Sequence, residues 1–193
     1  MVIMTPAPLG GYTAASLLQA PKHEPLLLTL THGATGASVD LHKNPGESPQ
    51  HLLLKGLLWA LVVPHHSSAT CELDLGLRYR PDVVALRGDE SIVWWGECGS
   101  VKPSKLSHLA STYPHTRFSV AKWGRSDLRG YAGGLRRDLL RADRRLAARR
   151  RAPFELINFP SDANERFLDD NGVVTLTMAD LQVVPLLDEE RLG

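Results

Sequence analysis

The sequence predicts an α/β fold with a mixed central β-sheet flanked by helices. Short apolar runs with strand character alternate along the chain with segments of helical period, which is the pattern of that class. The 193 residues fit one domain, since domains commonly run about 100–200 residues. No internal repeat and no linker divides them.

The elements follow in chain order. Residues 1–24 are rich in Pro, Gly and Ala without a period and are expected to form an irregular N-terminal tail, leaving 25–193 as the single domain. Residues 26–31 (LLLTLT) and 39–42 (VDLH) read as two strands joined by a turn between Gly33 and Gly36. Ser48 followed by Pro49 gives an N-cap and first-turn signal. The helix it opens carries Leu52, Leu53, Leu57, Leu58 and Leu61, offers only Gln50, His51, Lys55 and Gly56 as a polar side, and ends before Pro64. Residues 83–86 and 92–95 form a hairpin about the polar turn 87–91. Pro103 opens a short helix that Pro114 closes. Residues 117–123 (RFSVAKW) read as a strand, 134–151 as a second long helix, 154–159 (FELINF) as a strand, and 162–168 as a helical turn. Residues 173–177 and 182–187 look like closing strands.

Composition sets limits on function. The formal net charge is +1, so the overall balance selects no partner. Cys71 and Cys98 are too few for a disulfide framework and show no metal-ligand spacing, which suits a reducing, cytoplasmic setting. The N-terminus lacks a signal-peptide pattern. The most apolar run, 52–63, is shorter than the ~20 residues a bilayer requires, so no membrane partner is expected. His65 and His66 read as a solvated loop, since no third ligand lies at a telling spacing. Trp94 and Trp95 are adjacent, so they face opposite sides of a strand and belong to two core faces. Cys98 reads as a small buried side chain, not a nucleophile.

Two carboxylates stand out. Asp82 opens one strand of the hairpin and Glu97 ends the other, where strand interiors disfavour both residue types. A loop centred on Asp89 places Asp82 opposite residues 95–97, so the two acids become neighbours. Carboxylates that close repel unless a proton or a cation sits between them, and Mg²⁺ or Mn²⁺ suits oxygen ligands. Ion pairs with Arg78, Arg80 or Arg87 would explain the same pattern. Lys105 falls in the first turn of the helix begun by Pro103, and its side chain can tilt back toward Glu97; Lys102, in the loop, is a second candidate.

Here the residues resemble a family. Pro81-Asp82 followed by Glu97 resembles the PD-(D/E)xK nuclease superfamily, and the segments HLLLKGLLWAL, RPDVVAL and WWGECGSVKPSKL are similar to its YaeQ-like branch. The resemblance covers 25–187 in element order, with specific identity confined to those three segments. It implies a restriction-endonuclease-like sheet and metal-dependent hydrolysis of phosphodiesters. It also implies that Asp82 and Glu97 hold Mg²⁺ or Mn²⁺ and that Lys105 is catalytic. Two positions depart from the family. Gly99 stands where the lysine usually follows the acid, and Gln50 stands where the first helix usually offers an acid, so Gln50 becomes an auxiliary, uncharged metal ligand.

One segment is strongly basic. Residues 125–151 hold ten arginines against three aspartates, a net charge of +7 that leaves −6 on the rest of the chain. Arg137, Arg141, Arg144 and Arg145 lie off the apolar stripe and form a candidate nucleic-acid face. The expected function is therefore a metal-dependent nuclease. The competing reading keeps the same fold with a weakened site that binds nucleic acid or a protein partner.

Overall fold

A helix with leucines on every side cannot rest on a single surface, and the chain folds accordingly. In the computed structural model, residues 7–187 are described; residues 1–6 of the expected tail and 188–193 of the expected domain lie outside the described residues. Helix α1 (Pro49–Val62) is capped by Ser48, whose side-chain oxygen accepts the His51 amide at 3.1 Å. Every residue from Leu52 to Val62 is buried, including Lys55 and Gly56, which the sequence placed on a polar side.

The strands form two sheets rather than one. The small sheet has β1 (Leu27–His32) between β2 (Ser38–His42) and β8 (Val173–Val174). The large sheet runs β3 (Thr70–Cys71), β4 (Val83–Leu86), β5 (Ile92–Cys98), β6 (Arg117–Trp123), β7 (Phe154–Phe159) and β9 (Gln182–Pro185). Its three central strands β5, β6 and β7 are parallel, and its flanks are antiparallel. The predicted mixed α/β class is what the chain forms; the division into two sheets is the difference. Its cause is α1, which packs against both. The small sheet supplies Leu28, Leu30 and Leu41, and the large sheet supplies Val83, Ala85 and Trp94, to one continuous core.

The opposite face of the large sheet carries α2 (Pro103–Thr112), α3 (Leu128–Ala142) and α4 (Leu146–Arg149) over Trp95, Phe118 and Leu156. Trp94 and Trp95 thus serve the two core faces, as their adjacency requires. Among the described residues no helix is long and apolar enough to cross a membrane.

Boundaries differ where side chains override local signals. The helix expected over 134–151 begins at Leu128, because Asp127 accepts the Gly130 amide at 2.8 Å and Leu128, Ala132, Leu135 and Leu139 form a buried stripe through Gly133 and Gly134. It breaks after Ala142, where Asp143 accepts the Arg145 amide at 3.0 Å and restarts the chain as α4. The short helix α5 (Ala163–Phe167) matches its expected place, while the strand expected over 173–177 pairs only at β8. Residues 7–24 are irregular apart from a 3₁₀ turn at Leu17–Gln19, yet Leu9 and Leu17 are fully buried and the Pro8 carbonyl accepts the Thr29 amide at 2.8 Å.

The close approach of α1 to the small sheet depends on Gly56. A Cβ there would lie 2.2 Å from Leu30 Cδ1 and 2.9 Å from Leu41 Cδ1. Gly56→Ala therefore trades about 1 kcal/mol of helix propensity against about 1–3 kcal/mol of overpacking in a dense core. We expect a net loss, read as a lower urea midpoint at unchanged m. A more stable variant would show that helix and sheet are not in such close contact.

Candidate functional site

The hairpin register brings the two predicted acids to the same level of the sheet. Val83 pairs with Gly96, and the Asp82 amide donates to the Gly96 carbonyl at 3.1 Å, so Asp82 stands opposite Glu97. Their side chains then part. Glu97 shares a face with Trp95, whose indole N–H donates to Oε1 at 2.7 Å, and the Lys105 ammonium donates to Oε2 at 2.6 Å. Asp82 Oδ2 accepts the Cys98 amide at 2.7 Å, and Oδ1 lies 3.9 Å from His51 Nε2 on α1. One acid is engaged toward α2 and the other toward α1.

Each site residue has a definite setting. The Glu97 side chain is 5% exposed. Burial raises its pKa, against the lowering by its Lys105 and Trp95 hydrogen bonds, and the charge of Asp82 adds to the rise. Lys105 does point back from the first turn of α2, and it also lies 5.4 Å from the centre of the Tyr79 ring. Lys102 is the N-cap residue of α2 and is exposed. Gln50 is exposed and lines a cleft on the other side of His51 from Asp82. Among the described residues, no three His, Cys, Asp or Glu side chains gather into a group that could hold a metal ion. A cation on Asp82 and Glu97 would have to compete with Lys105 for Glu97.

Gly99 has a structural reason. Its φ is +71°, the left-handed region that glycine tolerates best, and a Cβ there would lie 3.3 Å from His51 Nδ1. A lysine at this position would meet strain and the imidazole together. Instead the Gly99 carbonyl accepts a hydrogen bond from the ammonium of Lys122, at the end of β6.

Sequence reasoning passed over a charged cluster beside Asp82. Lys55 is 1% exposed and pairs with Glu47 at 2.6 Å and Glu72 at 2.8 Å. Burial works against its ammonium, but the two glutamates outweigh it and raise the pKa. His51 lies 3.6 Å from Glu47. Glu47, His51 and Lys55 are four apart and so share one side of the helix start, a signal that was readable. Lys122, the charge near the end of RFSVAKW, was the other readable sign. Burial raises both thiols, Cys71 and Cys98, which disfavours the thiolate form a nucleophile needs.

The four candidate arginines are solvent-exposed: Arg137 on α3, Arg141 near its end, and Arg144 and Arg145 just before α4. Arg141 makes a loose ion pair with Asp138 at 3.5 Å. Arg150 leaves the basic face. It is 2% exposed, donates to the carbonyls of Tyr113 at 2.7 Å and Ala152 at 3.0 Å, and burial pulls its pKa down to about 10.

The pKa of His51 is raised, chiefly by Asp82 and against burial, with Glu47 adding to the rise. Protonation is therefore favoured by folding, and the stabilisation is complete below the ordinary imidazole value of about 6.5. It fades as pH rises through the higher folded value. The urea-midpoint gap between the native chain and His51→Gln should be larger at pH 5.5 than at pH 8.5. A gap independent of pH would mean that His51 does not bridge the two acids as a cation.

No family model and no curated protein matches the chain. Among solved structures, the chain is similar to the YaeQ protein from Xanthomonas axonopodis pv. citri, with a TM-score of 0.47 and 15% identity over 78% of each chain. It is also similar to the YaeQ protein from Pseudomonas syringae, with a TM-score of 0.46 and 17% identity over 68% of this chain and 69% of the other.

Proposed function

We propose that this protein is a nucleic-acid-binding module built on a nuclease-like α/β scaffold whose hydrolytic centre is weakened. The observation that carries this reading is the setting of Glu97. Both of its carboxylate oxygens are engaged inside the protein, by Trp95 and by Lys105, while Asp82 is engaged by the Cys98 amide and faces His51. The charge that two acids would bring to a cation is thus offset by the chain itself. The exposed Arg137, Arg141, Arg144 and Arg145 supply the attraction for a phosphate backbone.

A second reading, metal-dependent phosphodiester hydrolysis at Asp82, Glu97 and Lys105 with Mg²⁺ or Mn²⁺, is favoured by the register that sets Asp82 opposite Glu97. In that reading Gln50 is an auxiliary ligand, and Lys105 offsets charge on the reacting phosphate.

Binding is measured by fluorescence anisotropy with duplex and single-stranded oligonucleotides from 50 to 300 mM salt. Four phosphate contacts would give log K a slope against log salt of about −3 to −4. Joint Arg137→Ala, Arg141→Ala, Arg144→Ala and Arg145→Ala substitution should flatten that slope toward zero. Incubation of plasmid, single-stranded DNA and RNA with either metal, or with EDTA, should leave them intact. Cleavage that needs the metal and disappears in Asp82→Ala would establish the second reading instead.

A further inference from the structure

A cleft of about 320 Å³ opens where the carboxyl ends of the parallel strands β5 and β6 meet the start of α1. Ligands of open α/β sheets bind in such crevices. Its walls include Ser48, Gln50 and His51 from α1, Lys122 and Trp123 from the end of β6, and Arg125 just beyond. Among the described residues no aspartate or glutamate lines it. The neighbouring cleft, which shares Ser48 and His51, holds Glu47, Glu72 and Asp82. That neighbouring cleft also holds Lys55, paired with Glu47 and Glu72, whereas Lys122 and Arg125 stand on the other side of His51 without an acid in the lining.

Lys122 is the notable group. It is only 7% exposed. Its ammonium donates to the Gly99 carbonyl and lies 4.6 Å from the centre of the Tyr131 ring, and among the described residues no carboxylate pairs with it. Lys55, still further withdrawn from water, has two glutamates. Burying an ammonium without a counter-ion is costly, and a bound anion would remove the cost. An ammonium has three donors, so the Gly99 carbonyl leaves two for a ligand. Arg125 stands beside it, its guanidinium stacked 4.0 Å from the centre of the same Tyr131 ring and its backbone fixed by two hydrogen bonds with Asn158 at 3.0 and 2.9 Å. The positive end of the α1 dipole closes the third side.

We propose that this cleft is a seat for a terminal phosphomonoester of a nucleic-acid strand. A terminal phosphate carries about −1.5 to −2 charges at neutral pH, which matches the two fixed cations, whereas an internal diester brings only one. Half-buried Trp123, tethered by its indole N–H to the Ser161 carbonyl at 3.3 Å, offers a face to the terminal base. The volume lies at the low end of the ~300–1,000 Å³ typical of small-ligand pockets, room for a strand end and not for a duplex. The seat rests on the nucleic-acid reading above and adds to it a preference for ends.

The test compares one single-stranded 12-mer bearing a 5′-phosphate, a 3′-phosphate or hydroxyl ends, bound to the full chain at fixed salt. Inorganic phosphate and a nucleoside monophosphate serve as competitors. A phosphorylated end should bind about tenfold tighter or more, as two charge-assisted hydrogen bonds allow. Lys122→Met and Arg125→Ala should each erase that preference and leave hydroxyl-ended affinity unchanged. Arg125 is exposed, so its removal spares the fold. Lys122→Met should also raise the melting temperature, because it removes an uncompensated buried charge. Competition by the monophosphate but not by inorganic phosphate would show that the base is held as well. Equal affinity for phosphorylated and hydroxyl-ended strands overturns the seat and leaves the nucleic-acid reading standing. Failure of every oligonucleotide to bind overturns that reading itself.

Discussion

The structure depends on the burial of α1 on all sides. Eleven consecutive residues, from Leu52 to Val62, are withdrawn from water. A helix without a polar face needs cover all round, and this chain provides it with a sheet on either side. Glycine makes the fit close. Gly56 admits Leu30 from the small sheet, and Gly96 on β5 admits Leu58, whose Cδ2 would lie 2.6 Å from an added Cβ. The consequence for function is positional. The first turn of the helix meets the ends of β5 and β6, so Ser48 and His51 line two clefts at once, with Gln50 in one of them.

Buried charge is handled differently at each place it occurs. Lys55 is matched by Glu47 and Glu72, and Glu97 by Lys105. The two terminal nitrogens of Arg150 are held by backbone carbonyls, which binds the α4 region to the start of β6 and β7, while its buried Nε has no partner among the described residues. Removing one partner from such pairs costs about 3–5 kcal/mol, since it strands the other charge. The acid–base pairs, and the guanidinium ends held by carbonyls, read as architecture. Lys122 has one carbonyl and no acid among the described residues, and none of them that lines its cleft is an acid. The contrast, and not burial alone, is what marks it.

The carboxylate pair shows how register and orientation separate. Period-two alternation and a short turn place Asp82 opposite Glu97, and the ladder agrees. Alternation does not fix the direction of a side chain just outside a strand. Asp82 lies one residue outside β4 and swings to the Cys98 amide and His51, while Glu97 lies within β5 and keeps the face of Trp95. The tilt of Lys105 toward Glu97 was readable because helical side chains lean to the N-terminus. The choice of Lys105 as the lysine that reaches Glu97 needed coordinates.

From sequence alone came the α/β class, the hairpin register, the Ser48 cap, the opposed tryptophans and the absence of a lysine after Glu97. Each rests on short-range geometry that a few neighbouring residues determine. Only tertiary structure decided the split into two sheets, the start of α3 at Leu128, the removal of Arg150 from the basic face and the meeting of Lys122 with Gly99. Those depend on packing between segments far apart in the chain. A helix pattern can show that α1 is apolar all round, but not which strands cover it. A lone lysine in a strand shows its charge, but not that a carbonyl 23 residues away receives it at the mouth of a cleft.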